Sequence, residues 1–109
     1  MATHHASPAE VVDLGTWARD LPKEVTKAIV KTDAMELIRL VIPAGKEIPT
    51  HKESQVIVVH CINGKIEFTA MGETQVLISG QLLYLLSDEA HSFKADEDSV
   101  VLLTIIFKV

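Results

Sequence analysis

Two histidines stand where chemistry could be built. His51 follows Gly45 and a short extended segment, and His91 follows Gly80, an apolar run and a polar turn. Imidazole is the side chain best suited to ligate, accept or donate near neutral pH. Each histidine lies just beside a β-rich run, and a small β-barrel can bring two such distant residues together at its mouth. Glu53, two residues beyond His51, adds a carboxylate, and Glu53 and His91 are the best acid or base candidates. Cys61 is the only cysteine. It excludes an intramolecular disulfide, fits a reducing, cytoplasmic setting and reads as a small buried hydrophobe. His4 and His5 lie in a polar N-terminal stretch and are set aside.

The elements that must position these residues are strands. Lys27–Lys31 and Met35–Ile42 flank Thr32-Asp33-Ala34, which reads as a hairpin connection. Pro43-Ala44-Gly45 breaks the sheet, and Pro49 keeps the next segment extended. A strand over 55–62 ends at Asn63-Gly64, a strong signal for a type I′ hairpin turn into 65–70. Strands over 74–78, 82–86, 91–95 and 99–108 follow, separated by short turns. Residues 1–24 read as an N-terminal arm in which Thr16 caps a helical turn and Trp17 pins the arm to the rest. Residues 25–109 then form one barrel domain.

The 109 residues suffice for one core, and with 23% charged residues and 48% apolar ones the bulk of the chain folds. A net charge of -5 gives no basic face for nucleic acid. No apolar run is long enough to cross a bilayer, and no secretory leader is visible at the start. Eight or nine short strands without a helical period point to an all-β sandwich or barrel. The segments 82–86 and 100–107 are apolar on both faces, so their outer faces need cover, and a homodimer is the default expectation.

The spacing resembles that of the cupin family of jelly-roll barrels. A first family motif, G-x5-H-x-H-x3-E-x6-G, falls on Gly45, His51, Glu53, Ile57 and Gly64. A second, G-x5-P-x-G-x2-H-x3-N, falls on Gly80, Leu86, Asp88, His91 and Ala95. The resemblance covers roughly residues 35–108, with the motifs inside 45–95, and implies a double-stranded β-helix. In metal-dependent cupins these histidines and a glutamate bind one divalent ion. The resemblance therefore implies His51, Glu53 and His91 as ligands for one transition metal (Fe, Mn, Ni or Zn) and a small polar molecule as partner. Glu53 stands where a second histidine is usual, and Ile57 replaces the glutamate. A metal-free ligand pocket, and a barrel closed by side chains such as Ile57 and Phe68, remain as alternatives.

Strand parity adds Gln55, Ile57 and Phe68 to the pocket candidates. If Ile57 faces inward, so do Gln55, Val59 and Cys61, while His60 faces outward. A bulge near Gln55 would reverse this and make His60 a pocket residue beside His51. Arg39 could meet an anionic ligand or pair with Glu36, and Tyr84 is expected to bury its ring.

Overall fold

A computed structural model describes residues 5–20, 26–52 and 54–107. Alternation of apolar and polar residues gives β1 (Lys27–Lys31), β2 (Met35–Ile42), β3 (Glu47–Lys52), β4 (Val56–Asn63) and β5 (Lys65–Ala70). The series continues with β6 (Glu73–Ile78), β7 (Leu82–Leu85), β8 (Ala90–Ala95) and β9 (Ser99–Ile106). They form a five-stranded sheet, β1-β2-β9-β4-β7, and a four-stranded sheet, β3-β8-β5-β6, with every described pairing antiparallel. This is the expected all-β jelly roll. Among the described residues no helix is long and apolar enough to cross a membrane.

The inner faces meet in one core of Ile42, Ile57, Val59, Cys61, Ile66, Phe68, Phe93, Val101 and Ile105, among others. Strand β4 shows the period cleanly: Ile57, Val59 and Cys61 are buried, while Val56, Val58 and His60 are half-buried on the opposite face. No parity break occurs near Gln55, so the second option for His60 is not taken.

Asn63-Gly64 is not a hairpin. Strands β4 and β5 belong to different sheets, and of these two residues only Gly64 has a positive φ (107°). The pair is a corner where the chain crosses between sheets. A Cβ on Gly64 would meet Ser99 Oγ and lie 2.7 Å from the Asp98 carbonyl oxygen, so the corner requires glycine. Buried Ser99 ties it down, donating its hydroxyl to Glu97 O (2.7 Å) and accepting from the Lys65 N–H (3.0 Å). The turn with two positive φ values lies one strand later, at Met71 (54°) and Gly72 (77°), where Ala70 pairs with Glu73 across a two-residue loop.

The N-terminal segment folds back as a short 3-10 helix, Leu14–Asp20. Asp13, rather than Thr16, starts it: Asp13 Oδ1 accepts from the Gly15 N–H at 2.9 Å, and Thr16 Oγ1 donates to the Asp13 carbonyl. Trp17 is buried against Ile29, Val41 and Val100, as its apolar ring demands. Arg39, expected to meet an anionic ligand or Glu36, lines a groove of about 320 Å³ beside the arm with Trp17, Lys27 and Ile29. Its guanidinium lies 5.2 Å from the Trp17 ring centroid and donates from Nη2 to the Trp17 carbonyl at 2.9 Å. A buried arginine thus clasps the arm to the outer face of the five-stranded sheet.

Candidate functional site

The two histidines meet across β3 and β8. These strands begin in ordinary register, with Ile48 opposite Phe93, and end with His51 opposite His91. Three steps along β3 match two along β8, so β3 carries one extra residue in a bulge at Pro49-Thr50. In an unbroken ladder Thr50 would stand opposite His91. The bulge advances the register by one and delivers His51 instead. Pro49 has no N–H for a ladder and is tolerated because β3 is an edge strand.

His91 is almost wholly enclosed, 2% exposed, at the start of β8. Its Nδ1 lies 3.0 Å from the carbonyl oxygen of Glu89. A carbonyl can only accept, so Nδ1 carries the proton and, in the neutral ring, Nε2 carries the lone pair. A backbone carbonyl held against one ring nitrogen in this way fixes both the tautomer and the orientation of the imidazole. The loop that places Glu89 turns at Asp88, whose φ is 69°. Asp88 occupies the position where the family motif has glycine, and a short polar side chain is among the few that accept a left-handed backbone.

Aromatic rings wall the imidazole. Phe68 stacks on His91 with centroids 5.6 Å apart and an interplanar angle of 24°. Phe93 meets His91 edge-on at 5.9 Å and Phe68 at 4.9 Å. Ile57 and Phe68, both 1% exposed, belong to the barrel core, so the position of the family glutamate is a packed aliphatic side chain. Gln55 is half-buried just before β4. His60 lies on the outer face, opposite Leu82 and Leu102, and is not part of the interior. Glu53 lies outside the described residues, and His51 enters through its backbone position. Among the described residues no three ligand-type side chains converge.

Two features of this site escape sequence reasoning. The bulge is signalled only by Pro49 inside an otherwise extended segment. Phe93 and the Glu89 carbonyl act on His91 from positions that no motif marks. Cys61 is buried and donates its thiol to Gly64 O at 3.8 Å. Burial, with the Glu97 carboxylate adding to it, pushes its pKa up, so it is a packing residue and not a nucleophile.

Surface grooves lie elsewhere. One of about 340 Å³ runs over the outer face of the four-stranded sheet, lined by Glu47, Thr50, Glu67, Thr69, Ser92 and Lys94 among others. A smaller one of about 150 Å³ opens between β6 and β7 and reaches Phe68, the ring stacked on His91.

The fold has many solved counterparts. SPY1581, a conserved Streptococcus pyogenes protein of unknown function, superposes with a TM-score of 0.78 at 20% identity, covering 99% of this chain and 96% of that one. TT1209 from Thermus thermophilus does so at 0.77 and 15% identity, covering 92% and 99%. The DMSP lyase DddQ from Ruegeria pomeroyi reaches 0.70 at 18% identity, covering 75% of this chain and 46% of that one. No curated protein matches. The cupin-domain family profile matches residues 38–107, most of the barrel and all of the second histidine segment. The chain is a member of the cupin family.

Proposed function

We propose that this cupin binds a small polar molecule at the barrel end that carries His51 and His91, around one divalent metal ion held by His51, Glu53 and His91. The observation that carries this reading is the bulge that sets His51 opposite His91, whose Nδ1–H is already committed to a backbone carbonyl. Two imidazoles and a carboxylate form a donor set that suits iron, manganese, nickel or zinc and leaves coordination positions for a ligand. The metal would serve as a Lewis acid for a bound oxygen atom. The chain's own residues do the rest. Glu89 O fixes the imidazole of His91, Phe68 and Phe93 exclude water from it, and Ile57 contributes a dry wall in place of a charged ligand. Binding, rather than a particular reaction, is what these residues support. The lone buried thiol supports a reducing, cytoplasmic setting.

The tightly filled interior favours one competing reading, a metal-free barrel closed by side chains such as Ile57 and Phe68, with no cavity for a ligand. Elemental analysis of tag-free, natively purified protein separates the two. The metal reading expects about one ion per chain, lost in His51→Ala, and a metal affinity at least ~10-fold weaker in Glu53→Gln. No uptake after incubation with iron, manganese, nickel and zinc would leave only the metal-free reading.

A further inference from the structure

Strand β6 is patterned against its place in the fold. Its neighbour β5 turns Ile66 and Phe68 into the core, and the residues of β6 opposite Ile66, Phe68 and Ala70 are Leu77, Gln75 and Glu73. Partners in register share a face, so these three point inward. Leu77 is buried, but Gln75 and Glu73 put an amide and a carboxylate where core side chains belong. The outer face of the same strand carries Thr74, Val76 and Ile78. Val76 and Ile78 are each 49% exposed, and Thr74 bonds Thr69 at 2.8 Å. Protecting an edge strand from pairing calls for charge, but not for charge turned inward while aliphatic side chains face water.

The inward pair stands in line with the histidines. Glu73 is opposite Ala70, Ala70 is opposite His91, and His91 is opposite His51, so one row crosses β6, β5, β8 and β3. Two strand spacings of about 4.8 Å separate the backbones of Glu73 and His91, and the residue between them carries only a methyl group. The groove of about 150 Å³ lies over this step. Ala70, Glu73 and Gln75 line it together with Leu83 and Leu85 of β7 and with Phe68, the ring stacked on His91. Gln75 Nε2 donates to Glu73 Oε2 at 3.3 Å. A carboxylate only accepts, so the amide nitrogen is the atom turned to it, and the Gln75 carbonyl oxygen is left as a second acceptor.

We infer that Glu73 and Gln75 recognise the far end of the ligand, and that this end is a protonated amine. The inference rests on the proposed ligand site at His51 and His91 and names the class of molecule that site takes. It is a short aliphatic amine with an oxygen donor at its other end: oxygen towards His91, ammonium at Glu73, and the carbon spacer over Ala70. The two polar groups offer acceptors, one of them charged, which suits a cation with several N–H donors. Phe68, Leu83 and Leu85 give the spacer an apolar wall. The net charge of -5 draws cations towards the chain. A volume of 150 Å³ equals about five waters at ~30 Å³ each, which limits the spacer to a few carbons.

NMR titration of the full chain, with and without zinc, tests this with two probes of equal length. They are 5-aminopentanoate and hexanoate, in which a methyl replaces the ammonium group. 5-Aminopentanoate should bind at least ~10-fold tighter than hexanoate and shift the side-chain amide signals of Gln75. Glu73→Gln should abolish that preference while hexanoate binding and zinc uptake stay as in wild type. Glu67→Gln, the same change on the outer face, should retain it. A preference that persists in a chain taking up no zinc would support the amine site and count against the metal alone. Equal affinity for the two probes, or a preference that survives Glu73→Gln, would overturn the inference and leave the ligand site standing. Binding of neither probe would overturn both.

Discussion

Strands β3 and β7 are both edges, yet they are built in opposite ways. The first is charged at both ends, interrupted by Pro49 and bent by a bulge; the second is short, regular and apolar. The bulge in β3 gives up one ladder position and gains register, because it sets His51 opposite His91. The plain edge of β7 keeps its backbone available and surrounds it with exposed leucine and tyrosine. One fold thus carries a charged, bulged edge beside the two histidines in one sheet and an apolar, regular edge in the other.

The contrast can be broken deliberately. The largest effect should come from His51→Ala, which removes one of the proposed metal ligands and should lower metal affinity at least ~100-fold with an unchanged far-UV circular dichroism spectrum, as read by metal titration. Loss of the native spectrum together with metal binding would show that His51 holds the fold and not an ion. Gly64→Ala should harm both sides at once, since it strains the corner joining β4 to β5. A loss of about 3 kcal/mol is expected from a non-glycine residue forced to positive φ against Ser99, measurable by urea unfolding. A change under ~0.5 kcal/mol would show that the corner relaxes freely.

Asp88 sharpens the comparison on the histidine side alone. Asp88→Gly should stay within about 1 kcal/mol of wild type, whereas Asp88→Val, a β-branched residue at φ 69°, should lose about 1–2 kcal/mol. Equal stability of the two variants would remove backbone strain from the account of the His91 loop.

The smallest effect belongs to the polar outer face of the four-stranded sheet. There the neighbouring Asp96 shares a proton with Glu67 and repels its charge, which raises the Glu67 pKa above its ordinary value; Lys94 and Lys65 oppose the shift. A raised carboxyl pKa means the folded state binds the extra proton. The pair's contribution is therefore most favourable below the ordinary carboxylate range and declines as pH rises through the folded midpoint. Asp96→Asn should move the Glu67 midpoint downward in a carboxyl-carbon NMR titration and leave the result of a metal titration as in wild type. A midpoint unmoved by the substitution would assign the shift to another cause.

Much of the fold was legible because alternation is a local property. The inward set of Ile57, Val59 and Cys61 and the outward His60 follow from parity once one member is placed. The apolar character of β9 likewise called for cover on both faces, and Trp17 packs against Val100 on the outer one. Asp88 was readable as a residue that tolerates an unusual turn, and the structure uses it so. Long-range choices were less visible. Asn63-Gly64 carries a hairpin signature, but the sandwich needs a crossing there, and the close approach of Ser99 decides it. The two-residue hairpin falls instead at Met71-Gly72, where methionine gives no warning of a positive φ. The bulge before His51 was invisible because a one-residue slip is fixed by the partner strand, not by β3 itself. Asp13 displaced Thr16 as the helix-starting residue because its carboxylate reaches the Gly15 N–H.

The most direct test of the central claim reads the histidine rings themselves. In a long-range proton–nitrogen NMR spectrum, titration with zinc should shift Nε2 of His91 and one ring nitrogen of His51, saturating at one ion per chain. The Nδ1–H of His91 should persist throughout, held by Glu89 O. Zinc that leaves both rings unchanged, or that displaces the Nδ1 proton of His91, would contradict the account.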